Sequence, residues 1–197
     1  MKVLKLAWIG FLTTLLRAGL QSFIPEGSQT VLVPSVFAEK GSMPLVFMTY
    51  GTIAYGSMAA IFLLFQKSMS GSRISKGLKF SLLYSLLWTV YLLEPLPHTA
   101  LMDKITYPLA DSAALLGMGL LLGRFVAASS PVTKYELTRQ SQANVGWVAG
   151  LFFIGRLIQY MIFHIYSSFR QSPISSLVWA MGTGIVIGLV FDYINPL

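Results

Sequence analysis

The chain has 197 residues, of which 55% are hydrophobic and 11% charged, and it carries a net charge of +7. A soluble domain has roughly 25% charged residues, and a short one exposes too much surface to hide this much apolar area, so the composition excludes an ordinary soluble protein. With no cysteine, disulfides, thiolate metal sites and cysteine nucleophiles are excluded as well.

A membrane-spanning helix needs roughly 20 predominantly apolar residues. Six segments meet this, at about residues 4–24, 44–66, 77–97, 106–127, 145–166 and 175–194. The expected fold is therefore all-α: a polytopic bundle of six transmembrane helices forming one domain over residues 1–197. The first segment opens with Lys2 and Lys5, as a signal peptide would. Arg17 interrupts it, and the small-residue site before Glu39 lies too far along, so a retained first helix is expected.

The connection over residues 25–44 contains an apolar patch, VLVPSVFA, that is too short to span; it is expected to tuck against the bundle as a loop, the alternative being that it dips into the interface or caps an outward cavity. In the polar connection that follows the fourth segment, Ser130 is placed to cap a short helix.

Positive residues alternate between the connections. Nine of them (Lys2, Lys5, Lys67, Arg73, Lys76, Lys79, Arg124, Lys134 and Arg139) fall on one side, against Lys40, Lys104 and Arg170 on the other. Cytoplasmic loops are enriched in Lys and Arg, so both termini are expected in the cytoplasm and the protein in a plasma (inner) membrane. The same rule accounts for the basic balance without nucleic acid, for which no recognition motif exists.

Small residues recur one turn apart in several segments: Gly56 and Ala60, Gly119 and Gly123, Gly146 and Gly150, Gly184 and Gly188. Such faces let helix backbones approach closely, within the chain or against a second copy or another membrane partner. The fourth and sixth segments share the pattern GxGxxxG, at Gly117–Gly123 and Gly182–Gly188. The first and fifth each place an arginine nine residues after a tryptophan, Trp8 to Arg17 and Trp147 to Arg156, followed by Gln21 and Gln159. A parallel internal duplication and chance convergence of apolar helices both fit this pattern.

The charges inside the segments carry the functional reading. Arg17, Arg156, Glu94 and Asp111 all fall in the outer half of their segments. Each costs about 2.5–3.5 kcal/mol at the centre of a lipid-exposed helix, so the four are expected to turn inward and pair. Arg156 is expected to meet Glu94 or Asp111. Gln159, Tyr91 and Tyr107 are expected to add neutral hydrogen bonds, as are Gln21 and Tyr160. Pro95, Pro97 and Pro108 flank both carboxylates and free backbone carbonyls there, which points to an outward polar cavity between the first, third, fourth and fifth segments.

The leading expectation is a protein that binds or transports a small anionic solute in that cavity. A static ion-pair network that fixes helix register is the competing reading of the same charges. An assembly subunit of a larger complex and an intramembrane lipid-modifying enzyme are the alternative classes. His98 and His164 lack metal-ligand spacing, so neither a metal nor another cofactor is expected. Asp192 is expected either to pair with Arg124 or a loop lysine or to lie at a solvated helix end.

Overall fold

In the computed structural model, the described residues are 2–24, 36–97, 101–130, 138–165 and 167–194. They form six long helices and one four-residue helix: α1 (Lys2–Gln21), α2 (Val36–Glu39), α3 (Met43–Phe65), α4 (Arg73–Leu92), α5 (Asp103–Phe125), α6 (Arg139–Met161) and α7 (Pro173–Ile194). No strand occurs among them beyond an isolated bridge between Gly71 and Ser130. Four helices, α1 from Val3, α3, α5 and α7, are long and apolar enough to cross a membrane. Between 17% and 44% of each apolar window is buried inside the protein. So much uncovered apolar surface marks the chain as a membrane protein.

The observed helices differ from the expected segments mainly in α4 and α6, which start four and six residues earlier than residues 77 and 145 and end five residues before 97 and 166. Local chemistry sets these ends. The Thr138 side chain accepts the Ser141 amide (3.1 Å), so α6 begins at its cap although its first turns are polar. Its other end stops at Met161, beyond which His164 takes a left-handed conformation (φ 48). Pro95 and Pro97 disfavour helix before them, and α4 ends at Leu92, leaving Glu94 in the turn that follows. The start of α3 has Pro44 in its first turn, α7 starts on Pro173, and α5 carries Asp103 at its first turn and Arg124 at its last, all favoured positions.

Packing divides the chain into two compact units: Met1–Ser85 with Ala100–Val132, and Leu86–Thr99 with Thr133–Leu197. In the first, α1 packs on α3 and α5. Gly10 of α1 lies so close to α3 that an added Cβ would sit 2.5 Å from the Thr52 carbonyl oxygen, and Gly51 is crowded in the same way by Thr14. Gly77 of α4 meets the backbone of Gly119 and Gly123 of α5. The buried Thr13 and Thr14 hydroxyls donate to the Ile9 and Gly10 carbonyls (2.7 and 2.8 Å), which satisfies them without water.

In the second unit, α6 packs on α7 through Gly184 against Ala149 and Gly188 against Val145. The sequence assigns a packing face to Gly146 and Gly150 too, but an added Cβ at either meets no described atom within 4 Å. The shared GxGxxxG pattern therefore serves different contacts: Gly119 and Gly123 face α4, whereas Gly184 and Gly188 face α6.

A tie joins the α3–α4 link to the end of α5. Gly71, at φ 118, exchanges backbone hydrogen bonds with Ser130 (3.3 and 3.2 Å), and the Ser130 hydroxyl donates to the Met69 carbonyl (3.0 Å). Arg73 Nε donates to the Ala127 carbonyl (2.6 Å). Ser130 is thus engaged in this tie, while the short helix expected after it lies outside the described residues, as does the apolar patch upstream of Val36.

Candidate functional site

Arg17, Asp111, Glu94 and Arg156 form two pairs, one inside each unit. In the first unit, Arg17 Nε donates to Asp111 Oδ1. Its Nη1 donates to Gln21 Oε1, one turn along α1 (2.7 Å). Asp111 lies two turns into α5, and the ring of Tyr107, four residues before it on the same helix, has the guanidinium carbon 5.9 Å from its centroid. Both side chains are largely hidden, at 9% and 13% exposure for Arg17 and Asp111.

In the second unit, Arg156 Nη2 donates to Glu94 Oε1. The Tyr160 hydroxyl donates to the same carboxylate oxygen (2.8 Å) and also accepts from Nη2 (3.2 Å). Nη1 donates to Gln159 Oε1 (2.8 Å). Three rings surround the guanidinium carbon: Tyr160 and Trp179 at 4.9 Å and Tyr91 at 5.9 Å from their centroids. Those rings are held in turn. Tyr160 stacks on Phe169 at 5.0 Å, and Trp179 donates its indole N–H to the Val90 carbonyl (2.7 Å). The turn carrying Glu94 is tied down by the Ser168 amide, which donates to the Pro95 carbonyl (3.1 Å). Arg156 Nε remains a buried donor with no partner among the described residues.

Aromatic faces attract a guanidinium, and a forked guanidinium can hold a carboxylate and an amide oxygen at once, which an ammonium on a flexible stem cannot do with the same geometry. Each cluster therefore neutralises an arginine internally. The sequence placed Arg17, Asp111, Glu94, Arg156, Gln159, Tyr91 and Tyr107 together in one half of the membrane. The structure distributes them as Arg17 with Asp111 and Tyr107, and Arg156 with Glu94, Gln159 and Tyr91. Gln21 and Tyr160 also take part.

Trp179 belongs to the Arg156 cluster without any mark of it in the sequence. Trp179 lies in an apolar run whose pattern reads as packing, and nothing in its spacing signals a cationic neighbour. His98 lies outside the described residues, and the described ones contain no group of three or more residues able to hold a metal. Asp192 is buried in α7 rather than at a solvated helix end.

A cavity of about 520 Å³ does open in the first unit, but at the end of α1 that carries Lys5. Lys5 precedes Arg17 by twelve residues, about 18 Å along the helix. Comparison of the chain with protein-family models, with curated proteins and with solved structures found no match.

Proposed function

We propose that the chain is a six-span plasma-membrane protein with both termini in the cytoplasm, and that it binds or transports a small anionic solute at Arg156. The nine-to-three bias of basic residues supports the orientation. The polar first turns of α4 and α6 then lie at the membrane boundary, and their apolar remainders complete the count of six.

The observation that carries the binding reading is the spare donor of Arg156. Its Nε is buried without a described partner, while the neighbouring Gln159 and Tyr91 are exposed. A solute carboxylate or phosphate entering beside these two residues accepts from Nε and takes the place of the Glu94 carboxylate on the guanidinium. Glu94 then accepts a proton, so the local charge stays balanced and binding of the anion is linked to protonation. Arg17, Asp111 and Tyr107 provide the equivalent neutral pair in the other unit.

The test uses the purified full chain with acetate, benzoate and inorganic phosphate as probes, followed by tryptophan fluorescence with Trp179→Phe as the control for the reporting group. Binding of at least one anion that strengthens as pH falls is the expected result. Glu94→Gln should retain binding and lose its pH dependence. The Arg156→Met/Glu94→Met double variant removes both charges, so it should remain folded and bind none of the probes. Binding by that double variant at the level of the unmodified chain would exclude the site.

One observation favours a second reading, an assembly subunit. Gly146, Gly150 and Gly155 of α6 each have open space where a Cβ would stand. A second helix could approach closely there. Mass measurement after gentle solubilisation distinguishes a lone chain from a complex.

A further inference from the structure

Away from both arginines, the first unit gathers three lysines around its 520 Å³ cavity: Lys5 of α1, Lys67 just beyond α3, and Lys76 in the first turn of α4. The volume falls within the range of about 300–1,000 Å³ typical of ligand pockets. Ser129 and Ser130 stand on the same wall, held by the tie between Gly71 and Ser130. Lys76 is 2% exposed. Its ammonium donates to the Gln66 carbonyl at the end of α3 (2.8 Å), and no described carboxylate lies within ion-pair distance of any of the three lysines. A buried ammonium needs a counter-charge, and a carbonyl dipole supplies only part of one.

A second, smaller cavity of about 230 Å³ adjoins the first. It shares Lys5 and Phe125 with it and is otherwise lined by Trp8, Ile9, Leu12 and Leu121. Its exposed lining surface is wholly apolar. Trp8 and Leu12 are 56% and 41% exposed on a helix apolar enough to span, so this groove opens toward the region that acyl chains occupy.

We propose that these two cavities form one binding site for an anionic phospholipid, with the phosphate held among Lys5, Lys67 and Lys76 and an acyl chain laid along Trp8, Ile9, Leu12 and Leu121. The basic chamber complements a phosphate, and the contiguous apolar groove distinguishes a lipid from a free anion. The head of the site lies on the side rich in lysine, where anionic lipids of a cytoplasmic leaflet are drawn to basic residues. The site is independent of the Arg156 reading, so either can fail alone.

The experiment measures retention of dioleoyl-phosphatidic acid, dioleoyl-phosphatidylglycerol and dioleoyl-phosphatidylcholine by the detergent-purified full chain, using native mass spectrometry, with inorganic phosphate as a soluble competitor. The two anionic lipids should be retained and phosphatidylcholine should not. Because Lys76 also holds the end of α3, the basic chamber is tested with Lys5→Gln/Lys67→Gln, whose two side chains are exposed and leave the helix contacts intact. At roughly fivefold per lysine, this double variant should weaken retention roughly twenty-fivefold. Leu12→Trp narrows the groove and should weaken lipid retention without changing displacement by phosphate. Equal retention of phosphatidylcholine, or unchanged affinity in the lysine double variant, would overturn the proposal. So would inorganic phosphate competing as strongly as lipid while Leu12→Trp has no effect, which would make this a site for free phosphate.

Discussion

Arg17 and Arg156 each reach a carboxylate on another element and a glutamine four or three residues further along the same helix, yet their surroundings differ. Arg156 has three aromatic rings within 5.9 Å, and Glu94 receives a second hydrogen bond from Tyr160. Arg17 has the ring of Tyr107 at 5.9 Å. The positions of the acids differ as well. Asp111 sits within α5, whereas Glu94 sits in the turn after α4, so its placement depends on a proline-bounded segment and on the contact between Ser168 and Pro95. A shared pattern of arginine and glutamine thus supports one pair set on helices and one set on a tied turn.

The largest expected effect comes from removing a carboxylate. Glu94→Ala strands the Arg156 charge and the Tyr160 hydroxyl together, and breaking a buried pair in this way costs about 3–5 kcal/mol. Thermal unfolding in detergent should show a greater loss for Glu94→Ala than for Asp111→Ala. An equal loss would mean that the aromatic enclosure adds nothing to the Arg156 centre. The Arg156→Met/Glu94→Met variant should recover most of the loss, because replacing both charges by apolar groups is near neutral.

Glycine substitutions separate the units next. Gly77→Ala in the first unit drives a methyl into the backbone of Gly119 and Gly123, and overpacking of this kind costs about 1–3 kcal/mol. Gly150→Ala in the second meets open space within a helix, where replacing glycine gains about 0.5–1 kcal/mol. Unfolding midpoints should therefore move in opposite directions. A loss at Gly150 would indicate that a partner helix occupies that face in the purified protein, which sharpens the choice between a lone chain and a subunit.

These contrasts also show where the sequence was readable. The apolar runs that became α3, α5 and α7 were placed within three residues at each end, because length and hydropathy decide such helices. The starts of α4 and α6 were displaced because Arg73–Lys76 and Arg139–Asn144 are polar yet helical, and the Thr138 cap rather than hydropathy sets the α6 boundary. The depth of a charge along a segment can be counted, but which helices are neighbours cannot. That left Arg156 with two eligible acids. The sequence does not reveal the close approach at Gly10 and Thr14 of α1 for a related reason: a small residue shows where a backbone could come near, and the partner's shape determines whether it does.

A loss well below that of Glu94→Ala is expected from Tyr160→Phe, and this substitution addresses the Arg156 centre most directly. The substitution keeps the ring that lies 4.9 Å from the guanidinium carbon and stacks on Phe169, and removes only the hydroxyl shared between Glu94 and Arg156. A hydrogen bond to a charged group contributes about 1.5–3 kcal/mol, and Glu94 keeps its arginine, so a loss near the lower end is expected in thermal unfolding. The effect on anion binding should run the other way. Without the hydroxyl, the Glu94 carboxylate has one donor fewer, so it is displaced from Arg156 more readily and acetate or benzoate should bind a few-fold more tightly. Weaker stability combined with tighter anion binding is a pairing that a purely structural ion pair does not produce, since a clamp that loses a hydrogen bond has no reason to gain affinity for a solute.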